Sequence, residues 1–430
     1  MNKNAFTRTL GACARIAALA LPLAAAGTPD PAKPAVSDGD FVTVRDRRFE
    51  RHGQPYRFIG ANFYQMAAMA DPSQPGGRER LVRELDRLRA IGVTNLRLMG
   101  GSEGLNRMQP RAGEWNEGLF QGLDFALAEM AKRDMTGVIY LTNFWEWSGG
   151  MAEYVSWVTG EPIPDARQRG VKDPGAARLS FASRFYGLPR AQVLFREHIT
   201  RVLNRRNTVN GRLYHADPTV MSWQLSNEPR PGPGGPDTVA NLPAFYGWMD
   251  ETARFIKERA PRQLVSTGSE GMIGCIGNAD AFLKAHQSPA VDYVTLHLWV
   301  KNWGWLKEPH LGPQYEEASA RALRHIEQHI ALAKQLGKPL VMEEFGIDRD
   351  EWGLAPDSPT TMRDDYYGRI FRRVLTACQA GEVLQGANFW VWSGELGGRK
   401  SVGDNDVLTT DLTTLVLIRQ YNAKMANIHP

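Results

Sequence analysis

Eight short apolar runs alternate with longer amphipathic segments along this 430-residue chain, and few folds accept that pattern. The strand-like runs cover residues 56–62, 95–99, 137–142, 220–226, 263–267, 292–297, 339–345 and 386–392. Between them, segments 80–91, 118–133, 191–204, 241–259, 316–336 and 361–380 place apolar residues at i, i+3 and i+4 spacing. In the first of these Leu81, Leu85, Leu88 and Ile91 share one face, and Gly92 and Gly337 stand where helix-ending glycines belong. Repeated strand–helix alternation in a chain of this length predicts an α/β fold, a (β/α)8 TIM barrel with long loops after its strands. A doubly wound sheet fits less well, because no glycine-rich phosphate turn follows the first run.

The N-terminus is set apart. Lys3 and Arg8 precede a mostly apolar stretch over 16–26 that ends in Leu23-Ala24-Ala25-Ala26, the layout of an export signal. That stretch is too short for a stable membrane span. The chain is therefore read as signal 1–26, a Pro/Ala/Asp/Ser-rich flexible lead-in 27–38, and one barrel domain over 39–430. The expected destination is secreted or periplasmic, as a monomer with no membrane attachment after processing. The formal charge of +4 owes most of its excess to Lys3, Arg8 and Arg15, so it gives no support for a nucleic-acid partner. Beyond the signal two cysteines remain, Cys275 and Cys378; export permits one disulfide, and two buried free thiols fit equally.

In a barrel of this kind, functional residues sit at the C-terminal ends of the strands and in the loops that follow. Asn62, Arg97, Asn143, Asn227, Glu228, His297, Trp299, Glu344, Trp390 and Trp392 all fall there. Two carboxylates stand out. Glu228 ends the run Val220 to Asn227 and precedes Pro229, which stops the strand and disfavours a helical backbone at Glu228. Glu343 and Glu344 end the run that starts at Pro339. Adjacent strand residues point to opposite faces, so only one of these two is expected at the mouth, and periodicity does not choose between them. A pair of carboxylates delivered by two strands suits glycoside hydrolysis, one as proton donor and the other as nucleophile. A donor would need a raised pKa, which an aromatic-lined cleft supplies by disfavouring charge.

Tryptophans 145, 147, 157, 299, 303, 305, 390 and 392 concentrate in these mouth-side segments. Singly, a tryptophan is more often core than platform; together they suit a cleft that stacks sugar rings, with about half touching substrate. No second histidine stands at metal spacing from His297, so no metal or cofactor is expected. The loop Asp404-Asn405-Asp406 is expected to be a solvated turn before a calcium site.

Asn227-Glu228-Pro229 after one strand and Glu344-Phe345-Gly346 after another resemble glycoside hydrolase family 5, in the clan of retaining barrels. The resemblance spans nearly the whole chain after the signal. It implies Glu228 as acid/base and Glu344, rather than Glu343, as nucleophile. It also implies that Arg97 keeps the nucleophile ionised, that His297 is the active-site histidine and that Trp390 underlies the reacting sugar. Gly60 to Tyr64, Asn143-Phe144-Trp145 with Gly149-Gly150 and Tyr154 to Trp157, and Phe389 to Gly394 are similar to the β-1,4-mannanase branch. On this footing β-mannan or manno-oligosaccharide is the expected substrate. Asn62, Arg97, Trp145, Asn227, His297, Trp299, Trp390 and Trp392 form the expected binding set. One departure is Trp299, where relatives carry tyrosine; an indole N–H donates but cannot accept. The alternatives are a β-1,4-glucanase of the same family and a non-catalytic polysaccharide-binding barrel. Long loops over 148–188, with little helical pattern, and 395–408 leave endo and exo action both open.

Overall fold

The computed structural model describes residues 36–165 and 173–428; the expected signal and all but the last residues of the lead-in lie outside them. Eight parallel strands form the central sheet. They are β1 (Phe58–Asn62), β2 (Asn95–Met99), β3 (Thr136–Tyr140), β4 (Val220–Gln224), β5 (Leu264–Ser266), β6 (Val294–Leu298), β7 (Leu340–Phe345) and β8 (Leu384–Phe389). Each lies at an expected run. β8 pairs with β1, so the sheet curls through a full barrel, and its ends meet at β5 and β6. The seam there is closed by irregular bonds: Asp292 donates its N–H to Val265 O at 2.8 Å and its carboxylate accepts Val265 N–H at 2.7 Å. A side chain thus replaces the ladder bond that a three-residue β5 is too short to make.

Helices α1 (Gly77–Ala90), α2 (Glu117–Lys132), α3 (Pro189–Leu203), α4 (Gly235–Arg259), α5 (Ala279–His286), α6 (Pro313–Leu336), α7 (Thr361–Gln379) and α8 (Leu412–Ala426) form the outer layer. The main core lies between them and the sheet. α5, only eight residues long, and α8 have no counterparts among the expected helices; on α8 the reason is visible. Leu412 and Val416 are exposed on it, which blurs the apolar stripe that periodicity reads. It is nevertheless anchored: Asn422 brackets Ile59 of β1 with bonds of 3.0 and 3.1 Å.

Two further features escape the sequence pattern. Residues Thr43–Arg45, Arg48–Arg51 and Gln54–Pro55 form a three-stranded antiparallel sheet. Its Val42 and Phe49 pack with Phe58, Val138, Leu264, Tyr293 and Val341, plugging the bottom of the barrel. The hairpin turns through Asp46 and Arg47, both at positive φ, without the Asn-Gly that advertises such a turn. The region 148–188, expected to have little helix, contains helices Met151–Thr159 and Pro174–Ser183. The first is a single short amphipathic unit burying Met151, Ala152, Tyr154 and Val155, too brief to register as a periodic segment. Cys275 and Cys378 are both free and buried, so the disulfide alternative fails. No helix among the described residues is long and apolar enough to cross a membrane.

Candidate active site

Arg97, near the end of β2, organises the mouth of the barrel. It is fully buried, so every donor it carries needs a partner. Nε donates to Gln224 Oε1 at 2.8 Å, and Nη2 to Asn227 Oδ1 at 2.7 Å. Nη1 donates to Glu344 Oε1 at 2.5 Å and to Asn62 Oδ1 at 3.3 Å. Residues from β1, β2, β4 and β7 are tied to one guanidinium, whose flat fork fits a planar array of acceptors.

Only Glu344 of the adjacent pair reaches the cleft, as expected, but the premise that the two point to opposite faces of the sheet is corrected. Opposite β6, Met342 pairs with Leu296 and Glu344 with His297, so Glu343 is an extra residue in the ladder. This bulge breaks strict alternation. Glu343 points into the barrel, where Gln224 Nε2 donates to both its oxygens at 2.5 and 2.6 Å and Arg97 Nε lies 3.6 Å away. Glu344 rises to the mouth above it.

Glu228 sits just beyond β4 with a left-handed backbone, φ +48°. Its N–H donates to Gly268 O at 2.9 Å. Gly268 must itself be glycine: φ is +72° and a Cβ would lie 1.9 Å from Ser226 O. The Glu228 carboxylate accepts a short bond from Trp145 Nε1 on one oxygen. Its other oxygen lies 2.6 Å from His297 Nδ1, which is also 3.3 Å from Glu344 Oε2. Donor atoms of Glu228, His297 and Glu344 lie within 4.8 Å of one another. Three such donors form a conceivable cation site, but Arg97 already places a permanent positive charge on Glu344.

The two carboxylates are electrostatically coupled. Burial acts to raise both; at Glu228 the bond and charge of His297 and the charge of Arg230 outweigh it and hold the group down to about 2, while Glu344 stays raised by burial and by the charge of Glu228 despite Arg97. A protonated His297 would pull the proton off Glu228, yet burial holds His297 down to about 4. Above that pH the imidazole is neutral, and Arg97 is a full cation bonded to Glu344 and not to Glu228. A neutral imidazole removes the main cause of the lowering at Glu228, and that favours the proton on Glu228 and the charge on Glu344 beside Arg97. Beside them Glu270 is pushed up to about 8, chiefly by burial.

A cavity of about 500 Å3 opens over these groups. Of the expected residues, Glu228, Glu344, Asn227, Trp145, Trp299 and Trp390 line it. Arg97, Asn62 and His297 do not; they lie buried beneath, Arg97 and His297 against the carboxylates and Asn62 against Arg97. Trp392 is misplaced by the sequence reading. Strand β8 ends at Phe389, and the Trp390–Val391 peptide bond is cis. Trp392 starts a separate two-residue-wide ladder with Val407–Leu408 and is buried, its indole N–H donating to Glu84 at 3.2 Å.

Trp147 and Trp303 also line the cavity, whereas Trp157, Trp305 and Trp392 do not. Tyr64 stacks on Trp390 with centroids 5.4 Å apart at 11°, and Trp147 meets both rings edge-on. Sequence reasoning missed Arg230, Glu270, Asn302 and Asn405 as lining residues. Arg230 pairs with Glu270, and its guanidinium lies 4.8 Å above the Trp145 ring. Its only signal was its place directly after Glu228-Pro229. Asn405 belongs to the acidic loop, which is no free solvated turn: Asp404 pairs with Lys301 at 3.2 Å and Asp406 with Arg399 at 3.2 Å, leaving Asn405 at the cavity.

Comparison with known proteins gives a consistent result. A family profile described as "GH family 5 beta-mannosidase-like" matches residues 39–408. The chain is 35% identical to the glycoside hydrolase family 5 mannosidase of Rhizomucor miehei, covering 91% of this chain and 99% of that one, with a TM-score of 0.81. A variant of that enzyme has been solved in complex with mannosyl-fructose. The endo-β-1,4-mannanase of Thermotoga petrophila is 25% identical over 87% of this chain and 78% of its own, with a TM-score of 0.66. "Mannan endo-1,4-beta-mannosidase 1" of Arabidopsis thaliana is 27% identical, covering 92% of each chain.

Proposed function

Because the chain belongs to the glycoside hydrolase family 5 β-mannosidase-like family, we propose that it hydrolyses β-1,4-mannosidic bonds with retention, using Glu228 as acid/base and Glu344 as nucleophile. The observation that carries this reading is that one carboxylate oxygen of Glu228 and one of Glu344 lie within 4.8 Å of each other, a close approach that suits the ~5–5.5 Å carboxyl spacing of retaining enzymes better than the ~6.5–9.5 Å of inverting ones. Glu344, kept charged by Arg97, attacks the anomeric carbon. Glu228 gives its proton to the departing glycosidic oxygen. Water then enters on the same side, loses a proton to Glu228 and releases the sugar from Glu344. Trp390 underlies the reacting ring, with Trp299 edge-on to it at 6.1 Å.

The preferred mode of action is at chain ends. Tyr64 and Trp147 crowd the Trp390 platform, which favours a short glycone side. On this reading manno-oligosaccharides are better substrates than long mannan. Time-resolved products from mannopentaose test it: a single short product from the outset supports end-on action, and mixed lengths at early times reject it. Carboxymethylcellulose against glucomannan separates the mannosidase reading from a glucanase. The basic and apolar N-terminal segment supports a role outside the cytoplasm, read by comparing cellular fractions.

A further inference from the structure

Glu103, in the loop after β2, has no part in the chemistry just described, yet it is closed off from solvent. A carboxyl group is seldom buried without partners, so the contacts of its two oxygens are informative. Oε1 accepts the Thr142 hydroxyl at 2.8 Å, and Oε2 accepts the Gly150 N–H at 2.9 Å. Thr142 and Gly150 stand on either side of segment 143–149, which follows β3 and carries Trp145 and Trp147 into the cleft. One carboxyl group therefore grips both ends of that loop.

Backbone contacts tighten the grip. Glu103 N–H donates to Ser148 O at 2.9 Å. Gly149 has φ +91°, and a Cβ there would lie 1.8 Å from Glu103 O. Met151 N–H closes the loop on itself through Asn143 O at 2.8 Å. That bond fixes the shape of the loop, whereas Glu103 fixes its place against the loop after β2. The place matters because Trp145 Nε1 donates to Glu228, with the Trp145 backbone N–H held by Asn143 Oδ1 at 3.1 Å.

We propose that Glu103 is a positioning residue for the acid/base, clamping both ends of the loop that aims Trp145 Nε1 at Glu228. The proposal rests on the reading of Glu228 as acid/base. Without the clamp the Gly150 N–H is left buried and unpaired, and the loop must move to satisfy it. A shift of about 1 Å withdraws the indole N–H from Glu228, and misplacement of that size is costly to catalysis. Burial pushes Glu103 up to about 8, so at neutral pH the clamp depends on hydrogen bonds rather than on charge.

The test measures kcat and KM on mannopentaose for Glu103→Gln and Glu103→Leu in the full-length protein, each alone and combined with Trp145→Phe. The glutamine keeps an oxygen for the Gly150 N–H, and its NH2 donates to the Thr142 hydroxyl, which accepts as well as donates. It is expected to stay within about three-fold of wild type. The leucine loses both bonds and is expected to lower kcat by about ten- to a hundred-fold, with a much smaller change in KM. Beside Trp145→Phe, which has no indole N–H to aim, the same substitution should cost less than about two-fold. Equal losses in both backgrounds, a glutamine as damaging as the leucine, or no loss from the leucine overturns the clamp. If circular dichroism shows Glu103→Leu unfolded, Thr142→Val removes one grip alone, and its kcat loss must likewise vanish beside Trp145→Phe. Failure of the wild-type protein to cleave mannopentaose overturns the functional reading and the clamp with it.

Discussion

Arg97 Nη1 stands 2.5 Å from Glu344 Oε1 at the floor of the cleft, with both side chains almost completely removed from solvent. A buried carboxylate beside another carboxylate would normally take up a proton. The guanidinium opposes that preference at Glu344 and has no contact with Glu228, which favours Glu228 as the group that carries one. Asymmetry between two chemically identical side chains thus comes from the cation on one of them.

Replacing either carboxylate should abolish turnover without unfolding the barrel. Glu344→Ala and Glu228→Ala are expected to lower kcat on a natural β-mannoside by roughly 10³-fold or more. Circular dichroism melting should show a folded protein in both cases. Turnover near wild type for Glu344→Ala would reject it as nucleophile.

Arg97→Lys keeps a positive charge but loses the fork that meets Gln224, Asn227 and Glu344 together. Its effect should fall on kcat more than on KM, because Arg97 does not line the cleft. A weaker cationic partner raises the pKa of Glu344, which must be ionised to attack. The acid limb of the kcat/KM profile should therefore move to higher pH; an unmoved limb would separate Arg97 from the ionisation of Glu344.

Trp392→Phe separates structure from binding at neighbouring tryptophans. It deletes an indole N–H donated to Glu84, a fully buried carboxylate. The expected cost is about 1–3 kcal/mol of stability, read from urea unfolding, with kcat/KM within two- to three-fold of wild type, about the scatter of a change outside the cleft. Trp390→Ala should do the opposite, costing activity first.

Buried histidines make the fold sensitive to acid. Burial lowers His198 and His329 to about 4 and His286 to about 3, against about 6.5 in an unfolded chain. His329 Nε2 accepts the Met272 N–H at 2.9 Å, a bond that requires the neutral ring. The unfolded state therefore binds protons first as pH falls. The stability from these groups is complete above about pH 6.5 and is lost progressively towards pH 4. Unfolding free energy measured between pH 7 and pH 4.5 should drop steeply, and a flat profile would contradict the buried neutral rings.

Much of the architecture was legible in the chain because it follows from local pattern. Alternating apolar runs and amphipathic segments specify strands and helices wherever the buried face is uniform, and all eight barrel strands obey that rule. Helix α8 did not, since Leu412 and Val416 face solvent and break the stripe. The Asp46-Arg47 hairpin and the nine-residue helix at Met151–Thr159 were too short to carry a periodic signal.

The sequence by itself determined that two strand-end carboxylates and a set of tryptophans would meet at one end of a barrel. Those are consequences of strand direction and composition. It did not determine which way each side chain turns there. A single bulge at Glu343 sends that carboxylate inward and lifts Glu344 to the mouth, and the end of β8 at Phe389 puts Trp390 in the cleft and Trp392 in the core. Such choices rest on ladder register and on partners far apart in the chain, such as Arg97 with Glu344 or Trp392 with Glu84. Only the closed tertiary structure brings those partners together.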